Sequence, residues 1–124
     1  MNLESTFVVL QPDRSAEPVA VTPALWQELE QRFDGFKGRV LVSCFSFERD
    51  WDTWEMHPAG DEVVCLLSGR AALELEGQGT LAELSVPGSF VVVPRGAWHT
   101  ARTSVPTKML FITPGEGTKN KALV

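Results

Sequence analysis

The sequence predicts an all-β domain, a sandwich or barrel of short strands preceded by one short helix. Three observations carry this. After Gly38, short apolar runs rich in β-branched and aromatic residues alternate with turns built from Gly, Pro and Asp. Before Gly38, only one stretch has helical periodicity. The chain has 124 residues, 44% hydrophobic and 22% charged, which suits one domain with one core.

Taken in order, Phe7 to Leu10 is a short apolar stretch and reads as one strand. The polar segment after it, with Pro12, Asp13, Arg14, Ser15 and Pro18, reads as a loop. The helix signal follows: Thr22 as N-cap, Pro23 at the first helical position, then Leu25, Leu29 and Phe33 as one apolar stripe. Gly35 is the expected stop. The strands expected beyond it are Arg39–Phe47, Thr53–His57, Glu62–Leu67, Ala71–Glu76, Gly79–Leu84, Ser89–Val93, Trp98–Thr103 and Lys108–Ile112. Pro58–Asp61, Ser68-Gly69, Gly77–Gly79, Pro87-Gly88, Pro94–Gly96 and Pro106 break them, and Pro114–Gly117 closes the series. The expected organisation is an N-terminal strand and helix over 1–37, a barrel over 38–117 and a frayed tail over 118–124.

Composition excludes several functions. Eleven Lys and Arg against sixteen Asp and Glu give a net charge of -5, with no basic cluster, so nucleic acid and anionic membrane are not expected partners. The longest apolar run is Val63 to Leu67, far short of a membrane span. The first residues carry Glu4 and no basic-then-apolar leader, so a cytoplasmic location is expected. There is no tyrosine, which removes any mechanism that needs a tyrosine acid or base. Cys44 and Cys65 have no metal-binding or redox spacing and read as reduced thiols.

The chemistry concentrates around the only two histidines, His57 and His99. Glu55 and His57 are two apart on a strand, so they share a face. Pro58–Asp61 is a tight turn that can fold Glu62 back beside His57. Further along, Pro94–Gly96 breaks a strand and His99 starts the next. If the two hairpins pack together, His57, Glu62 and His99 form a two-histidine, one-carboxylate site with open positions. Such a set suits one divalent ion: Fe, Mn, Ni or Zn.

At these residues the chain resembles the cupins. The family's first motif is Gly-x5-His-x-His-x(3,4)-Glu-x6-Gly, and Glu55, His57, Glu62 and Gly69 stand at its last four named positions, with Glu55 replacing the first histidine. The second motif is Gly-x5-Pro-x-Gly-x2-His-x3-Asn, matched by Gly88, Pro94, Gly96 and His99, with Thr103 in place of the asparagine. The resemblance covers about residues 38 to 117 and implies a double-stranded β-helix, or jelly-roll barrel. It also implies a metal-binding site, and a small-molecule pocket above it. Cupins usually hold the ion with three histidines and one glutamate. The substitution leaves two roles open for Glu55, a fourth ligand or a free general base.

The family's chemistry includes dioxygenation, isomerisation and decarboxylation. The expected function is a divalent-metal, small-molecule-binding protein, either a metal-dependent enzyme of one of those types or a non-enzymatic module that binds a small ligand or the metal. Thr53, Val64, Leu66, Ala101 and Thr103 share the ligands' side of their strands and are the candidate pocket residues. Arg95, in the turn before His99, is a candidate partner for a substrate carboxylate or else a solvated turn residue. Trp51, Trp54 and Trp98 flank the motifs, as an aromatic rim or as packing, and alternation turns Trp54 and Trp98 outward. Val63–Leu67 is apolar on both faces, so the 23–33 helix, the N-terminal strand or a second subunit must cover its outside. Small cupins are commonly dimers, and a homodimer is expected.

Overall fold

The computed structural model describes residues 1–124. It contains eleven strands in two antiparallel sheets, one α-helix and one 3-10 turn. In chain order they are β1 (Thr6–Leu10), β2 (Ala16–Ala20), α1 (Leu25–Arg32), the 3-10 turn Asp34–Phe36, β3 (Val40–Phe47), β4 (Thr53–Met56), β5 (Glu62–Ser68), β6 (Ala71–Leu75), β7 (Gly79–Leu84), β8 (Phe90–Val93), β9 (His99–Arg102), β10 (Thr107–Thr113) and β11 (Lys119–Ala122). One sheet has the order β2-β1-β3-β10-β5-β8 and the other β11-β4-β9-β6-β7. From β3 onward, consecutive strands cross between sheets, except the β6–β7 hairpin, as in a jelly-roll barrel.

All eight strands expected after Gly38 are present, with ends moved by one residue at most. Two expectations upstream and downstream of them fail. Residues 16–20 are a strand rather than a loop, pairing with β1 in the register Val8↔Pro18. Pro18 fits because β2 is an edge strand and needs no amide donor on its outer side. The tail is not frayed: β11 pairs with β4, Asn120 opposite Glu55 and Lys121 opposite Trp54. Its side chains are exposed along their length, so no apolar alternation marks it.

The helix begins two residues later than the capping pattern implies. Its first helical residue is Leu25, the N-cap is Ala24, and the Thr22 hydroxyl accepts the Ala24 amide at 3.3 Å in the turn before it. Leu25, Leu29 and Phe33 are buried as expected, in a cluster with Phe7, Val9, Val19, Phe36 and Leu41. This places α1 against the inner face of β1, β2 and β3. It does not cover the outside of Val63–Leu67, which lies farther along the same sheet. A second cluster fills the barrel between the sheets, including Val64, Leu66, Leu73, Val93, Ala101, Met109 and Phe111.

Gly69 shows why the first motif ends in glycine. Its φ is +80°, and a Cβ there would stand 2.3 Å from the Pro106 carbonyl oxygen.

Candidate metal centre

His57 lies one residue past β4, Glu62 opens β5 and His99 opens β9. The 58–61 turn folds β5 back toward β4, while β9 pairs with β4 so that His99 stands opposite Glu55. The Gly96 amide donates to the His57 carbonyl at 3.0 Å and ties the two motif turns together. The result brings one ligand atom each from His57, Glu62 and His99 within 4.8 Å of one another. The three residues are 3%, 3% and 1% exposed.

The polar atoms of this cluster lie at ion-pair distance but out of hydrogen-bond alignment. His57 Nε2 lies 3.1 Å from Glu62 Oε2 and His99 Nε2 lies 3.2 Å from Glu62 Oε1. Yet His57 Nε2, His99 Nε2 and Glu62 Oε1 make no aligned hydrogen bond. Buried polar atoms left this way are costly unless something else satisfies them. A divalent ion fits the set: two imidazole nitrogens and a carboxylate, converging and otherwise unsatisfied.

The outward nitrogens are held by neighbours. His99 Nδ1 donates to the Ala97 carbonyl at 3.1 Å, which leaves Nε2 as the nitrogen facing the cluster. His57 Nδ1 is 2.8 Å from the Thr118 hydroxyl, which itself donates to the Gly115 carbonyl at 2.9 Å. The threonine proton is thus committed, and its oxygen accepts from His57 Nδ1. Thr113 donates to Glu62 Oε2 at 2.6 Å. These outer contacts orient a ligand set in the way known for metal sites.

Electrostatics agree with the geometry. Burial works against a charge on His57, but hydrogen bonds and charge from Glu55 and Glu62 outweigh it and raise its pKa to about 9. Burial also opposes a charge on Glu62, and His57, His99 and Thr113 overcome it, holding the carboxyl down to about 2. Without an ion, His57 and Glu62 form a buried charged pair at neutral pH.

Glu55 comes to the same end of the barrel but not into the mutual cluster. Its Oε1 is 3.2 Å from His57 Nε2, and its side chain is 30% exposed. It lines a cavity of about 750 Å³ that runs from the centre to α1. His57, Glu62, Thr113 and Thr118 share this lining, with Trp26 and Leu29 from the helix and Phe36, Phe45, Trp51 and Phe111.

The candidate pocket residues are elsewhere. Val64, Leu66 and Ala101 point inward as alternation requires, but each is 0% exposed within the packed core beneath the site. Thr103 bonds the Arg70 and Val105 carbonyls at the far end of β9. Thr53 offers its carbonyl to Thr100 and does not reach the cavity. Arg95 is not a cavity residue either. Its guanidinium donates to the Ala59 carbonyl at 2.9 Å, and its amide to Asp61 at 2.8 Å, bracing the 58–61 turn. Among the tryptophans, Trp51 faces the site, 6.4 Å from the His99 ring, while Trp98 lies under Lys121 on the outside.

Thr113 and Thr118 were not anticipated. Thr113 continues the inward parity of Met109 and Phe111 one step past the expected end of its strand. Nothing local marks Thr118.

No family model and no curated protein matches the chain. Solved structures do. A cupin superfamily protein from Desulfitobacterium hafniense is 30% identical, over 62% of this chain and 68% of that one, with a TM-score of 0.52. A cupin-2 domain protein from Shewanella frigidimarina is 23% identical, over 60% and 70%, with a TM-score of 0.53. An oxalate oxidase shares the fold at 18% identity, over 64% of this chain and 44% of its own, with a TM-score of 0.52.

Proposed function

The chain belongs to the cupin superfamily, and from that premise we propose a metal-dependent enzyme acting on a small organic molecule. The single observation behind this is the close grouping of His57 Nε2, Glu62 Oε1 and His99 Nε2, buried and without aligned hydrogen bonds, beside a cavity. Those three residues would hold one divalent ion, Fe, Mn, Ni or Zn. Such an ion supplies Lewis-acid polarisation and a template for ligand oxygens. Glu55 is the proton carrier: a carboxylate facing the cavity, within reach of bound ligand, outside the mutual cluster. Trp51 and Phe111, 5.9 Å apart, give the cavity an apolar wall near the centre. The reaction class is oxygenase, isomerase or decarboxylase.

Elemental analysis and calorimetric titration with Mn, Fe, Ni and Zn salts test this on untagged protein. One equivalent of metal is expected, lost in His57→Ala, His99→Ala and Glu62→Gln. Glu55→Gln should keep occupancy and lower turnover once a substrate is found. If Glu55→Gln loses the metal instead, Glu55 is a fourth ligand. If the triad variants bind metal as the parent does, the reading fails.

The same reading includes a homodimer in the cytoplasm. The outer face of the six-stranded sheet carries two apolar rows across its strands: Val42–Ile112–Val63–Val92 and Cys44–Leu110–Cys65–Phe90. Phe90 is 63% and Val92 45% exposed. A second copy laid on this face would cover both rows. Cys44 and Cys65 are free thiols, which suits a reducing compartment. No helix is long and apolar enough to cross a membrane.

A further inference from the structure

The walls of the cavity carry a second message, about charge. Its acidic side chains are Glu30, Glu55 and Glu62; no lysine or arginine lines it, and its one histidine, His57, stands 3.1 Å from Glu62. A divalent ion at the centre would still leave this lining one charge negative. Glu62, 3% exposed and lining the cavity, keeps Oε1 without an aligned partner. One wall is a continuous aromatic run, while Ser43, Ser46, Thr113, Thr118 and Asn120 supply neutral polar groups. Trp26 stacks on Phe45 at 6.2 Å and 19°, Phe45 meets Phe111 edge-on at 5.8 Å, and Phe111 lies 5.9 Å from Trp51. This run leads from solvent, where Trp26 is 58% and Phe45 39% exposed, to the ring of His99.

We propose that the cavity takes an organic monocation, an ammonium group on an aromatic or alkyl body, and discriminates against carboxylate ligands. The inference rests on reading the cavity as a small-molecule site. Aromatic faces attract an ammonium through their quadrupoles and accept its apolar body. The three carboxylates favour the same charge and repel an anion. A volume of about 750 Å³ accommodates such a molecule. The stacked Trp26–Phe45 pair, left open to water, gains cover when the cavity fills.

The test compares three probes of one shape, 2-phenylethylamine, 2-phenylethanol and phenylacetate, by tryptophan fluorescence and calorimetry at neutral pH. The amine should bind tighter than the alcohol and roughly ten-fold or more tighter than the acid. Glu30→Gln should narrow the amine-to-acid ratio, and Trp26→Ala, on an exposed helix position, should weaken amine and alcohol together. Alcohol binding equal to the amine, acid binding as tight as the amine, or no binding of any probe at about 1 mM overturns the proposal. Each titration is run with and without Zn(II). Metal uptake with the acid preferred overturns this inference and leaves the metal centre standing. No metal uptake with the amine preferred does the reverse.

Discussion

The Thr118 hydroxyl lies 2.8 Å from His57 Nδ1 and donates its own hydrogen bond to the Gly115 carbonyl, so the residue just before β11 orients a residue of the centre. Thr118→Val removes that acceptor without changing shape. It should weaken metal binding by about 10- to 100-fold, as loss of outer-shell partners does. Thr118→Ser should restore most of the affinity. Metal titrations of the three proteins check this, and equal affinities would show that the contact does not orient the ring.

Metal uptake should release a proton. His57, with its pKa near 9, carries its proton at pH 7, and a ligating imidazole must give it up. Affinity should therefore rise with pH until about 9 and level off. Calorimetry in two buffers of different ionisation enthalpy reads the proton count directly. In the metal-free protein the signs differ by group. The stabilisation from charged His57 is complete below its ordinary 6.5 and lost as pH rises through about 9. That from Glu62 is complete above its ordinary 4.5 and lost as pH falls through about 2. Thermal melts of metal-free protein should thus weaken on both sides of this window.

Gly69→Ala should be severe. A Cβ would meet the Pro106 carbonyl oxygen at 2.3 Å and Thr107 Cα at 2.8 Å in a left-handed conformation, and both of those atoms are backbone. The expected cost is about 3 kcal/mol or more. Gly96→Ala is the control, because its φ of +76° adds conformational strain with nothing within 4 Å of the new atom. It should cost about 1–2 kcal/mol. Denaturant midpoints of the two variants measure the difference.

Val63→Lys and Phe90→Asp place charges in the two outer apolar rows. Sedimentation should show a dimer in the parent and a monomer in each variant, with metal uptake unchanged. A monomeric parent at micromolar concentration would remove the homodimer.

The eight strands after Gly38 were legible because all but β3 are followed by a Gly or Pro turn, and turn chemistry is local. The three ligand positions were legible for the same reason, since the turns Pro58–Asp61 and Pro94–Gly96 mark them locally; the strands these turns join lie in different sheets and are not the expected hairpins. The pocket was not. Alternation tells which side of a sheet Val64, Leu66 and Ala101 face, but not whether that depth is open or filled. Depth is set by the opposite sheet, and here Leu73, Met109 and Phe111 fill it. The cavity opens instead toward α1, whose Trp26 lies off the Leu25–Leu29 stripe and reads locally as solvent-facing. β11 escaped for a similar reason: Lys119–Ala122 has no apolar face, and its partner lies some sixty residues earlier.

The strand–turn–strand segment that carries His57 and Glu62 is divided between the sheets: β4 belongs to one and β5 to the other, while His99 joins the first. An ion held by all three would act as a rivet through both layers of the sandwich. Unfolding either sheet would then require releasing it, so resistance to heat should climb with free metal concentration. Amide exchange would slow in both sheets together rather than in the loops that carry the ligands. Occupancy of the centre and cohesion of the whole barrel become one equilibrium.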